Sequence, residues 1–222
     1  MIFNVTGEYM IVVGLTGGIG SGKSYVLNWF KEYSYIPTFE ADKVAKDLMM
    51  PPHSIYKDVV KEFGDSILSS DETVKEGDEI YPLIDREALR RIVMNDEEAL
   101  ARLNSIVHPG VKNFFKDYIA SDASEIVIIE SAILLQDGYD EICDEIWYVR
   151  ANADIRCERI MKSRGYSYEK AQSFMKNQPG DDYYLEHADL VIDNSDDENP
   201  ESLSNQLKSV LENFLSKYGF RG

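Results

Sequence analysis

Ile11-Val12-Val13-Gly14-Leu15-Thr16-Gly17-Gly18-Ile19-Gly20-Ser21-Gly22-Lys23-Ser24 is the stretch from which the rest of the chain is read. Its first half is a β-branched apolar run of the kind that forms a buried strand. Its second half contains G-x-x-x-x-G-K-S from Gly17 to Ser24, and Tyr25 to Lys31 then carries Val26, Leu27 and Phe30 at helical spacing. A chance match in a chain of this length is on the order of 1%, before a preceding strand and a following helix are required. Strand, glycine-rich loop and helix N-terminus together make a phosphate cradle: backbone N–H groups and the positive end of the helix dipole converge on the anion, and glycines allow close approach. The expected nucleotide contacts are Gly17, Gly18, Ile19, Gly20, Ser21, Gly22, Lys23, Ser24 and Tyr25. Lys23, a solvent-facing charge, would reach the β and γ phosphates of ATP, and Ser24 would ligate Mg²⁺. The competing reading is a glycine-rich turn with no ligand.

Four more short apolar runs follow: Tyr35 to Phe39, Ile126 to Ile129, Glu145 to Val149 and Leu190 to Ile192, with Pro37 weakening the first of them. Polar or glycine-rich residues and then helical spacing follow each run, which predicts an α/β fold on a five-stranded parallel sheet flanked by helices. Residues 51–118, in the long gap before Ile126, are patterned as a mostly helical insertion. Asp85 is set to cap a helix through Asn95, and Asn95 with Glu98 has capping-box spacing before Leu100, Leu103, Ile106 and Val107. The acidic stretch from Asp65 to Glu79 reads as an exposed loop or hairpin. A second helical stretch runs from Ala153 to about Leu185, broken at Gln178-Pro179-Gly180. The last helix opens at Asn199-Pro200 and carries Leu203, Leu207, Val210, Leu211, Phe214 and Leu215 as one apolar stripe. Trp29 and Trp147 read as core.

The 222 residues suit one large domain or one domain with an insertion, and roughly 70% of the chain's surface is buried when a chain of this size folds. With 23 Lys and Arg against 40 Asp and Glu, the net charge is −17. Such a surface opposes nucleic acid and anionic membrane, so an anionic substrate needs a local positive site. Cys143 and Cys157 supply neither a disulfide framework nor a four-ligand zinc site, and they read as inert thiols of a reducing, cytoplasmic compartment. No apolar run approaches the length of a membrane span.

A nucleotide loop admits a phosphotransferase, a GTPase switch or a non-catalytic binding module. The D-x-x-G and N-K-x-D elements of GTPases are absent, which favours a kinase. A kinase needs a carboxylate beside the acceptor hydroxyl, at the C-terminal ends of the strands. Asp42, in Phe39-Glu40-Ala41-Asp42, is either that base or a cap for the helix from Lys43 to Met49, and both can hold. Glu130 is either a carboxylate near Mg²⁺ or a strand-end residue in water. Eight of the nine arginines fall in two windows, Arg86 to Arg102 and Arg150 to Arg164. The first can be neutralised by neighbouring acids on helix surfaces. In the second, Arg159 and Arg164 are candidates for closing over the transferring phosphoryl group. At five residues' spacing they are about 140° apart on a helix, so both can face one phosphate chain only if the helix ends near Ser163 and Arg164 turns back.

The phosphate loop is accompanied by Glu40-Ala41-Asp42 with Val44-Ala45, Asp85-Arg86-Glu87-Ala88-Leu89, Ile106-Val107-His108-Pro109, Arg159, Arg164-Gly165, Asn177-Gln178 and Ala188-Asp189-Leu190-Val191-Ile192-Asp193-Asn194. From Met10 to about Tyr218 this set resembles the dephospho-CoA kinases. The resemblance implies ATP-dependent phosphorylation of the ribose 3′-hydroxyl of dephospho-CoA, the last step of coenzyme A synthesis; Mg²⁺ is expected from the phosphate loop itself, and a monomer is the expected state. It implies a core of residues 10–50, 119–150 and 186–222, a helical acceptor insertion at 51–118 and a helical lid at 151–185. Asp42 and Arg86 would face the acceptor, and His108 would be either an acceptor contact or a buried helix-start residue. The alternative is another nucleoside or nucleotide kinase. The chain departs from the family pattern at Glu40, usually Asp, at Gln136, usually Glu, and at Tyr184, often basic. Its 65–79 loop is longer than usual, and Met1 to Tyr9 precede the usual start, which makes Met10 a candidate initiator.

Overall fold

The computed structural model describes residues 10–121, 124–196 and 199–220, so Met1 to Tyr9 lie outside the described residues. The chain divides into two compact units, one formed by Glu40–Ser121 and the other by the segments on either side. The flanking segments build a five-stranded parallel sheet from β1 (Ile11–Thr16), β2 (Thr38–Glu40), β5 (Ile126–Glu130), β6 (Glu145–Arg150) and β7 (Leu190–Asp193). The spatial order is β2-β5-β1-β6-β7. All six residues of β1 are buried, as a strand covered on both faces requires. From β1 the chain departs first to one edge and later to the other. The carboxyl end of β1 is therefore the switch point at which α/β sheets take ligands.

One face of the sheet is closed by α1 (Lys23–Tyr33) and α9 (Pro200–Lys217), through Val26, Leu27, Phe30, Leu203, Leu207 and Phe214. Trp147 is the centre of this packing, with its ring 5.2 Å from that of Phe30 and 5.1 Å from that of Phe214. Both tryptophans are core residues. The Cys143 thiol packs toward Gly14, and burial pushes its pKa up to about 12, which keeps it protonated and inert. Helices α6 (Ala153–Arg164), α7 (Tyr168–Lys176) and α8 (Asp181–His187) lie between β6 and β7. The second strand is shorter than its apolar run. Tyr35 is exposed with a φ of 56°, and the strand begins only after Pro37, whose carbonyl accepts from Ile128 N–H at 2.9 Å.

The other unit contains α2 (Ala41–Leu48), α3 (Ser54–Phe63), a two-stranded antiparallel sheet of β3 (Leu68–Glu76) and β4 (Glu79–Ile84), α4 (Arg86–Val93) and α5 (Glu97–Ala120). Of the two readings of the acidic stretch, the hairpin is the one found. Its β3 strand is polar and largely exposed, so no hydrophobic period announces it. Asp85 caps α4 as expected, accepting from the N–H groups of Glu87 and Ala88. The cap of α5 is Asp96 rather than Asn95: Asp96 accepts from Glu98 and Ala99, while the Asn95 side chain closes the preceding helix by donating to Arg91 O at 2.8 Å. α5 runs unbroken through the exposed Pro109, which places His108 mid-helix and half-buried, not at a helix start.

Glu145, at the start of β6, is buried and accepts from Trp147 Nε1 at 2.7 Å, Lys217 Nζ at 2.5 Å and Tyr218 Oη at 3.0 Å. This carboxylate ties the last turn of α9 to the sheet. Glu145→Ala leaves the buried indole donor without an acceptor. We expect a loss of about 1–3 kcal/mol in stability, read as a lower urea midpoint at unchanged slope; an unchanged midpoint would show that the clasp contributes nothing.

Candidate functional site

The phosphate loop connects β1 to α1 as the sequence pattern requires. Gly22 occupies the N-cap of α1 with a φ of 95°, and a Cβ there would strike the Asn194 amide. Gly20 has a φ of 78°, and a Cβ would come within 2.6 Å of Arg156 O. Lys23 opens the helix, but it is not the solvent-facing charge expected. Its side chain is 12% exposed, with Nζ donating to Gly17 O at 2.8 Å and standing 3.8 Å from Glu130 Oε1. Glu130 is itself buried at the end of β5, so the reading of it as a strand-end residue in water is overturned by its place beside Lys23. Ser24 and Tyr25 lie exposed on the first turn of α1. The hydroxyls of Thr16 and Ser21 are buried without a hydrogen-bond partner among the described residues.

Three distant elements hold the loop. From the end of β7, Asn194 Nδ2 donates to Ser21 O at 2.8 Å. From α6, Arg159 donates to Gly20 O and Ser21 O at 3.3 Å and to Asn194 O at 2.9 Å. Arg156, three residues earlier, donates from Nε to Ile19 O at 2.9 Å, while Ile19 N–H donates to Gln178 Oε1 at 2.7 Å. Arg164 does not join them. The helix continues through it and ends at Gly165 in the left-handed conformation, leaving Arg164 exposed and outside any hydrogen bond or ion pair among the described residues. The expected turn back toward the phosphates is therefore not found. Sequence reasoning placed Arg156 only in a basic window and gave Gln178 and Asn194 no role. The one signal for Gln178 and Asn194 is membership of the family-like segments.

Around this clamp, Tyr184 is buried and stacks on Tyr148 with ring centroids 4.8 Å apart. Burial, then the hydrogen bond to Asp181, pushes the Tyr148 hydroxyl far above its ordinary pKa. Burial would raise Asp181 too, but the hydrogen bonds from Tyr148 and Arg150 outweigh it and hold the carboxyl below the usual range.

In the other unit, Asp42 lies within the first turn of α2 rather than at its cap. The cap position belongs to Glu40, whose carboxylate pairs with Lys43 at 2.6 Å. Asp42 is exposed and enters no hydrogen bond or ion pair among the described residues. Arg86, the exposed first residue of α4, lines a cavity of about 220 Å³ with Lys46, Arg90 and the apolar Met50, Leu89 and Leu103. His108 is not among the residues lining it.

Residues 11–199 match the family model described as Dephospho-CoA kinase. A dephospho-CoA kinase of Chlorobaculum tepidum is 35% identical over 209 residues, covering 93% of this chain and 96% of its own. One of Fusobacterium nucleatum is 33% identical over 186 residues, covering 84% and 90%. Among solved structures, TT1252 from Thermus thermophilus superposes with a TM-score of 0.73 at 25% identity, over 93% of this chain and 98% of that one. The dephospho-CoA kinase of Campylobacter jejuni, at 0.61 and 20% identity over 93% and 98%, shares the fold. So does an Acinetobacter baumannii shikimate kinase, at 0.51 and 13% over 93% and 96%.

Gly22→Ala puts a side chain at a left-handed N-cap already filled by Asn194. Calorimetric titration with ATP should show affinity at least about tenfold weaker, because the N–H groups of a displaced loop no longer converge on phosphate. Wild-type affinity would mean that the loop is not the nucleotide site.

Proposed function

The chain belongs to the dephospho-CoA kinase family, and from that premise we propose that it transfers the terminal phosphoryl group of ATP to the ribose 3′-hydroxyl of dephospho-CoA, giving coenzyme A and ADP. The observation that carries this reading is the phosphate loop of a chain matched to the family over residues 11–199, clamped by α6 and β7 with Lys23 and Glu130 at its base. Backbone N–H groups of the loop bind the donor phosphates, and Lys23 neutralises the β and γ oxygens. The hydroxyl of Ser24 and the carboxylate of Glu130 are hard oxygen donors that suit Mg²⁺. No cluster of three or more His, Cys, Asp or Glu able to hold a metal occurs among the described residues. When bound, that ion would offset charge on the phosphate oxygens.

On the acceptor side, Asp42 is the proposed base. It is exposed, it is not a cap, and the fold commits its carboxylate to nothing else among the described residues. It orients the 3′-hydroxyl and takes its proton as the oxygen forms its bond to the terminal phosphorus and the bond to the ADP oxygen breaks. Arg86, with Lys46 and Arg90 around the cavity, is the proposed cationic contact for the acceptor's phosphates. Arg159 serves as a positioning residue for the loop. No described helix is long and apolar enough to cross a membrane.

Purified protein incubated with Mg·ATP and dephospho-CoA, AMP, dCMP or a nucleoside should form ADP only with dephospho-CoA at an appreciable rate. Turnover of another acceptor and none of dephospho-CoA would overturn the assignment. Asp42→Asn should lower kcat by about 10² to 10⁴ with ATP affinity nearly unchanged. A variant within about threefold of the wild-type rate would remove Asp42 from the chemistry.

A further inference from the structure

Arg156 is 8% exposed, yet it forms no ion pair with a carboxylate among the described residues. Of its five N–H donors, Nε is committed to Ile19 O at 2.9 Å and one on Nη2 reaches Gln178 Oε1 at 3.4 Å. Asp181, whose carboxyl its charge helps to hold ionised, is already engaged by Tyr148 and Arg150. A buried guanidinium with no carboxylate in direct contact is unfavourable, so its place is explained by an anion that arrives later. Its location says which anion. The guanidinium lies against Gly18, where its Nη2 occupies the space a Cβ would need. It therefore stands on the second residue of the phosphate loop with the remaining Nη donors uncommitted. Arg159, by contrast, has its guanidinium turned to the carbonyls of Gly20, Ser21 and Asn194.

We propose that Arg156 is a catalytic residue of this site: its guanidinium, buried over Gly18 without a carboxylate partner, receives the terminal phosphate of the donor nucleotide and stabilises the charge that spreads over it during transfer. Gln178 positions it, since one amide oxygen accepts from both Ile19 N–H and Arg156. The proposal rests on the loop being the ATP site. The acceptor's proton goes to Asp42, and the electron pair of the broken P–O bond leaves with ADP. A donor already fixed in a buried position needs no reorganisation when charge develops, and a single one of this kind is worth about 10² to 10³ in rate.

The test compares wild type with Arg156→Gln and Arg156→Lys, by steady-state rates and by melting temperature with ADP and with ADP plus beryllium fluoride, which mimics the terminal phosphoryl group. The expected result is a kcat about a hundredfold lower in Arg156→Gln. Its melting temperature should still rise with ADP, but the extra rise that beryllium fluoride adds in wild type should be lost. Arg156→Lys should recover less than about a tenth of the rate, because a point charge lacks the forked contact. If Arg156→Gln does not fold, the lysine variant carries both measurements, with the same loss of the beryllium fluoride increment. Rates within about threefold of wild type together with an intact increment would overturn the proposal. A wild-type protein that gains no stability from ADP at all would instead overturn the reading of the loop as the nucleotide site, and the proposal with it.

Discussion

A phosphate loop made largely of glycine cannot hold its own shape. Four of the six residues between Thr16 and Lys23 are glycines without the side chains that would restrict them, and the loop's backbone groups must be satisfied by something else. Here that something is a set of side chains from far along the chain, with Asn194 and Arg159 on the carbonyls of Gly20 and Ser21, and Arg156 and Gln178 on Ile19. Once the carbonyls are engaged from outside, the loop's remaining N–H groups can be organised around a ligand. The site is thus held by tertiary contacts, and it is as stable as the packing of α6 and β7 against the sheet.

Electrostatics follow from the same arrangement. A chain at −17 repels polyphosphates at long range, and attraction has to be built locally. Lys23, Arg156 and Arg159 supply it around the loop, each at low exposure or bonded to backbone, where water and salt screen least. In the other unit, Lys46, Arg86 and Arg90 gather around an apolar cavity. Acidic residues dominate elsewhere, as on the hairpin.

What could be read in advance was what repeats or has a fixed spacing. The β1 run, the loop and the stripe of α9 are patterns of five to thirteen residues whose physical cause is local, and each is found where expected. The β3–β4 hairpin escaped because its first strand faces water and carries no alternation, and Asp96 displaced Asn95 as a cap because Asn95 was drawn back to the preceding helix. In the site, helical geometry alone could not choose among the arginines. Arg164 sits on the last residue of an unbroken helix, and Arg156 meets the loop only through the tertiary fold. Buried partners without a sequence period are invisible until the chain is closed.

Asn194's bond to Ser21 spans 173 residues, and both neighbours of β1, the strands β5 and β6, begin more than a hundred residues after it. Contacts of such separation form late, since closing the intervening chain costs entropy before any contact rewards it. During synthesis the contiguous Glu40–Ser121 unit is complete while β1 still lacks both of its partners. The nascent chain therefore carries the nucleotide motif from its first two dozen residues, yet it has no formed nucleotide site until the last strand leaves the ribosome.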